Sequence, residues 1–127
     1  MPLVRIDVPE ITTPLEQEAI GEVVHRALVE VAGAPADDRF QVITSHPRTG
    51  LVMDPTYFVE RTERALIIQI TLNAGRSTEL KKALYAAIAD GPLYEAIGLR
   101  REDVMISLVE VAKENWSFGG GDAQYAQ

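Results

Sequence analysis

Apolar and polar residues alternate over residues 3–8, with Leu3, Val4, Ile6 and Val8 separated by Arg5 and Asp7, which predicts a β-strand. The period then changes. Thr13-Pro14-Leu15-Glu16 combines a capping box with proline at the first helical position. Behind it Leu15, Ala19, Ile20, Val23, Val24, Ala27, Leu28 and Val31 recur at helical spacing, and Gly33 ends the stripe, predicting a helix over 14–32. A strand is expected at 39–45. The same succession returns further on: a strand at 65–72, a helix at 77–90 and a strand at 103–111. Ser77 caps the second helix, whose expected inward face is Leu80, Ala83, Leu84, Ala87 and Ile88. Gly91-Pro92 breaks it, and residues 93–97 add a short turn before Gly98.

The two halves match by pattern. Residues 3–8 correspond to 66–71 at an offset of 63, and residues 40–43 to 104–107 at an offset of 64. Two tandem βαβ units follow, at about 2–45 and 64–111, joined by a linker at 46–63 and trailed by a segment at 112–127. The linker, with His46-Pro47-Arg48-Thr49-Gly50 and Asp54-Pro55, is expected to be a loop with a small hairpin around 51–53. The fold class is therefore α/β: one domain with a four-stranded mixed sheet and two helices on one face. Val4, Ile6, Val8, Phe40, Val42, Leu66, Ile68, Ile70, Val104, Ile106 and Leu108 are expected against the helices. The other face mixes Arg5, Asp7, Gln41, Gln69, Thr71 and Ser107 with Leu3, Ile43, Ile67, Met105 and Val109. That face is too apolar for free exposure and too polar for a monomer core, which points to self-association.

Composition narrows the chemistry. The 127 residues carry a net charge of −7 without a long basic run, which argues against nucleic acid and anionic membranes as partners. Zero cysteines exclude disulfides and thiol catalysis. No apolar run approaches the ~20 residues of a membrane span, and the N-terminus lacks the pattern of a secretory leader, so a cytoplasmic protein is expected. The two histidines, His25 and His46, have no ligand-like spacing, and no metal site is expected.

Pro2 changes this picture most. Initiator methionine is normally removed before a residue as small as proline, which would leave a prolyl amine at the head of the first strand. A terminal amine titrates near neutral pH, and an apolar pocket lowers its pKa further by disfavouring the charged form. Such an amine can serve as general acid or base, or as a nucleophile toward carbonyls.

With Pro2-Leu3 stand Pro35-Ala36-Asp37-Asp38-Arg39-Phe40-Gln41, Arg76-Ser77 and Trp116-Ser117-Phe118-Gly119. In this order and spacing the chain resembles the tautomerase superfamily, and within it the malonate semialdehyde decarboxylase group. The resemblance implies a homotrimer with active sites near subunit boundaries, no metal and no organic cofactor, and a small carboxylate substrate is expected because a chain acidic overall places a cation, Arg76, and an amine where they can meet. It makes Pro2, Asp38 and Arg76 the catalytic candidates, with Asp37 as the competing carboxylate. Asp38 could hold the prolyl ammonium or activate a water. Arg76, between the third strand and the second helix, could clamp a substrate carboxylate. Trp116, Phe118 and Tyr125 would form an apolar, water-excluding wall that contacts the substrate. His46 is a minor candidate contact, and His25 reads as an ordinary helix residue. The decarboxylase pattern has a further arginine where this chain has Ala74, and Arg48, Arg39 and Arg5 are the cations that could replace it. Decarboxylation or hydration of a 3-oxo or unsaturated acid and keto–enol tautomerisation of a 2-oxo acid both remain open. A chain that retained Met1 would leave only ligand binding.

Overall fold

A computed structural model describes residues 2–126. The expected removal of Met1 concerns a residue outside this range. Four strands, β1 (Leu3–Pro9), β2 (Phe40–His46), β3 (Leu66–Asn73) and β4 (Val104–Val111), form one sheet in the order β2-β1-β3-β4. β1 runs parallel to β2 and antiparallel to β3, and β3 runs parallel to β4, so the sheet is mixed and each half is a βαβ unit.

α1 (Pro14–Glu30) starts at the capping box: Thr13 accepts from the Glu16 amide, and the Glu16 carboxylate accepts from the Thr13 amide. α2 (Thr78–Ala89) is capped by Ser77, and α3 (Pro92–Ile97) follows the Gly91-Pro92 break. Both long helices cover one sheet face. The core joins Ile20, Val24 and Leu28 of α1 and Leu84 and Ile88 of α2 to Val4, Ile6, Val8, Leu66, Ile68 and Ile70. Each fully buried aliphatic side chain contributes about 1.5–3 kcal/mol relative to exposure. Four expected helix-face residues lie outside this core: Leu15, in the first turn of α1, and Ala83 are exposed, and Ala19 and Leu80 are half-buried.

β2 presents the opposite face from the one expected. Leu3 pairs with Phe40 and Val4 with Gln41, so Gln41 and Ile43 point at α1. Phe40 (48% exposed) and Val42 (41%) lie on the open face. The cause is local to α1. Gly21 has no side chain, and into that gap Gln41 donates from Nε2 to the Gly21 carbonyl at 2.9 Å. A Cβ on Gly21 would stand 2.7 Å from Gln41 Oε1. A hydrogen-bonded glutamine is thereby accommodated on the core side, and a one-residue change of parity sends its neighbours outward.

The same register corrects the repeat. Leu3–Phe40 and Ile67–Met105 are equivalent pairs on the open face, so the offsets are 64 for the first strands (67 − 3) and 65 for the second (105 − 40). The caps Thr13 and Ser77 also stand 64 apart. Offsets of 63 and 64 would place equivalent residues on opposite faces.

The linker forms no hairpin at 51–53. Its backbone groups bond within the loop and to side chains instead of to a partner strand. Asp54 Oδ2 accepts from the Thr56 and Tyr57 amides at 3.1 and 2.8 Å, and the Arg61 guanidinium donates to the Asp54 and Tyr57 carbonyls.

Candidate active site

Pro2 is buried just ahead of β1, flanked by the start of β2 and the end of β3. Pro2, Leu3, Phe40, Trp116, Ser117 and Phe118 line a cleft of about 230 Å³ there. The segment after β4 supplies its wall. Trp116 and Phe118 stack with ring centroids 5.4 Å apart and planes 9° apart, and Phe40 meets Phe118 at 6.0 Å. Tyr125 packs edge-on against Phe118 at 5.2 Å, behind the lining residues.

Three glycines make that return possible. Gly119, Gly120 and Gly121 take φ of 134°, 73° and 76°, conformations that side chains disfavour. Gln124 closes the turn, accepting from the Phe118 amide at 2.9 Å and donating to the Gly119 carbonyl at 2.8 Å. An apolar enclosure of this kind disfavours charge on any amine within it.

Asn73, the last residue of β3 and only 6% exposed, links the wall to the arginine. Its Oδ1 accepts from Trp116 Nε1 at 2.7 Å, and its carbonyl accepts from Arg76 Nη1 at 2.8 Å. Arg76 Nη2 also donates to the Ala32 carbonyl at 3.2 Å. Glu110 pins the same loop, accepting from the Gly75 amide at 3.3 Å and from Lys81 Nζ at 2.7 Å. The Lys81 hydrogen bond chiefly holds the Glu110 carboxyl below its ordinary range, aided by the Gly75 amide and the Arg76 charge.

The structure thus brings Pro2, Trp116 and Phe118 into one cleft. Tyr125 backs it, and Arg76 connects to it through Asn73. Asp38 is half-buried, its Oδ1 shielded from solvent, two residues before the cleft residue Phe40; Asp37 is exposed. Asp38 and Arg76 do not themselves line the cleft in a single chain. His46 lies at the far end of the sheet, hydrogen-bonded to Asp7 Oδ1 at 2.6 Å, and His25 bonds the Ala36 carbonyl. Of the cations that could replace an arginine at Ala74, Arg39 pairs with Glu22 at 2.9 Å, Arg48 lies near His46, and Arg5 is exposed on the open face. None of them joins Arg76 within one chain.

Two site residues escaped the sequence reading, Phe40 and Asn73. The inverted face of β2 concealed Phe40. Asn73 carried a usable signal, since an asparagine ending an otherwise apolar strand needs a buried partner.

A family profile described as tautomerase enzyme matches residues 38–119, and a second with the same description matches residues 2–61. The chain belongs to the tautomerase family. A probable tautomerase of Bacillus subtilis (strain 168), YusQ, is 38% identical over 125 residues, covering 98% of both chains. Among solved structures, FG41 malonate semialdehyde decarboxylase inhibited by 3-bromopropiolate is 40% identical with a TM-score of 0.89, covering 97% of this chain and 93% of that one. A fused 4-OT symmetric trimer is 22% identical with a TM-score of 0.78, covering 98% of both chains, and shares the fold. Among the described residues no helix is long and apolar enough to cross a membrane.

Proposed function

We propose that this tautomerase-family chain acts on a small oxo or unsaturated carboxylic acid, with the amino group of Pro2 as general acid and base. The observation that carries the reading is the burial of Pro2 at the mouth of an aromatic cleft whose wall is tied through Asn73 to Arg76. Removal of Met1 is part of the proposal, because an imide nitrogen at Pro2 has no basic lone pair. The aromatic wall excludes water around the amine, and Arg76 receives the substrate carboxylate. Asp38 assists the ammonium or a water from the β2 side.

Decarboxylation of a 3-oxo acid is the first reading, supported by 40% identity to a malonate semialdehyde decarboxylase along nearly the whole chain. Arg76 orients the carboxylate and the prolyl ammonium polarises the 3-carbonyl. The C1–C2 bond breaks, carbon dioxide leaves, and the electron pair forms an enol whose oxygen takes the ammonium proton. The enol then returns to the carbonyl form by protonation at carbon. Keto–enol tautomerisation of a 2-oxo acid is the second reading, favoured by Ala74: with one cation fewer, a reaction that only moves a proton between oxygen and carbon demands less of the site. The working assembly is a homotrimer, supported by the half-apolar open face that carries Phe40, Val42, Met105 and Val109.

The deciding experiment compares the chain beginning at Pro2 with one blocked by retained Met1, each checked by intact mass. Carbon dioxide release from a 3-oxo acid and enol loss from phenylpyruvate are followed side by side. The amine reading requires the blocked chain to be inactive; equal turnover by both forms sinks it. Enol loss without carbon dioxide release selects the second reading, and silence of the processed trimer in both assays leaves a ligand-binding protein.

A further inference from the structure

The internal two-fold carries the Pro2 cleft to the other end of the sheet, where the chain has built a second cleft of different chemistry. At the offsets fixed by the strand register, Pro9 takes the place of Asn73, and Leu51 and Met53 take the places of Trp116 and Phe118. Pro9, Leu51 and Met53 indeed line a cleft of about 340 Å³ together with Arg48, Glu10 and Glu63. Leu66 takes the place of Pro2, and its nitrogen is a mid-chain amide. The chemistry of a terminal amine is therefore absent here, and a binding role is what remains.

The lining charges specify the ligand. Among the described residues, the side chains of Arg48, Glu10 and Glu63 enter no hydrogen bond or ion pair. The other polar lining groups, His46 and Thr62, are already held, His46 by Asp7 at 2.6 Å and the Thr62 hydroxyl by the Asp103 carboxylate. A simple anion would meet one cation and two carboxylates, and a simple amine would leave the guanidinium without a counter-charge. Arg48 follows β2 and Glu63 precedes β3, with β1 between them, so the two charges arise two strand spacings apart, on the order of 10 Å. The Glu10 amide, bonded to the His46 carbonyl at 2.9 Å, fixes the strand ends from which they project. Ile11, Leu51 and Met53 offer apolar surface alongside.

We propose that this second cleft binds a short ω-amino carboxylic acid, its carboxylate on Arg48, its ammonium on Glu63 and its methylene body against Leu51 and Met53. The test is calorimetric titration of the full-length, assembled protein with 6-aminohexanoate, hexanoate and hexylamine. 6-Aminohexanoate is expected to bind about fivefold or more tightly than either singly charged analogue. Arg48→Ala should reduce its affinity to that of hexylamine, and Glu63→Gln to that of hexanoate; circular dichroism should find both variants folded. The amide resonances of Met53 and Ala65 should shift while Trp116 emission stays constant, locating the ligand away from the Pro2 cleft. No binding up to about 10 mM, equal binding of all three probes, or indifference to Arg48→Ala would overturn the proposal.

Discussion

Asn73 Oδ1 accepts the indole N–H of Trp116 at 2.7 Å, so the end of a central strand sets the orientation of the cleft's largest side chain. Trp116 is the chain's single tryptophan, which makes its emission a direct report on the cleft. Asn73→Leu is expected to shift that emission to the red and to lower stability by about 1–3 kcal/mol, the cost of leaving a shielded polar group without its partner. Asn73→Asp keeps the acceptor and should remain nearer the parent spectrum. Unchanged emission in Asn73→Leu would mean that stacking on Phe118 suffices to hold the ring.

Arg76 donates to the Asn73 and Ala32 backbone carbonyls, which help to position its guanidinium. Arg76→Ala should reduce kcat/KM by about ten- to a hundredfold, with KM rising and kcat falling. Arg76→Lys should recover only part of this, because an ammonium lacks the planar fork that meets a carboxylate with two bonds. Steady-state kinetics with thermal melts of each variant would separate a substrate role from a purely structural one.

Gly21→Ala places a methyl group 2.7 Å from Gln41 Oε1. The nearest atom is the end of the flexible Gln41 side chain, which can shift by giving up its bond to the Gly21 carbonyl. Alanine gains about 0.5–1 kcal/mol over glycine in a helix interior, so the net destabilisation is expected to stay below about 1 kcal/mol. Gln41→Ala removes the obstacle, so the double variant should be less destabilised than the two single effects added together. Simple additivity in denaturant melts would show that α1 and β2 do not compete at this position.

Met105 and Phe40 occupy equivalent open-face positions and are 46% and 48% exposed. Met105→Lys should convert the trimer to monomers in analytical ultracentrifugation while the far-ultraviolet circular dichroism stays the same, because the core on the helix face is untouched. Persistence of the trimer would place the interface elsewhere.

Glu110 holds the Gly75 amide and Lys81 with a carboxyl whose pKa lies below its ordinary value, chiefly through the Lys81 hydrogen bond. A folded-state pKa depressed in this way gives stability that is present above the unfolded value and lost as pH falls through the folded one. Amide exchange at residues 74–77 should therefore accelerate on acidification below the usual carboxylate range. Glu110→Gln should show the faster exchange already at neutral pH and lose that acid dependence.

The order of strands and helices, the caps at Thr13 and Ser77 and the buried face of β1 were all legible in the chain, because each depends on residues within a few positions of one another. Pro2, Trp116 and Phe118 were legible as one site only through the family pattern, since their meeting joins the first strand to the last segment. The face of β2 was not legible. A strand with apolar residues at Phe40, Val42 and Ile43 fits either parity, and the choice fell to Gly21, some twenty residues away, which admits Gln41 on the core side. That same choice moved Phe40 into the cleft, corrected the repeat by one residue and placed Leu51 and Met53 as counterparts of Trp116 and Phe118. Local periodicity and capping are written in neighbouring residues. Register across a sheet is a property of packing, and only the folded chain decides it.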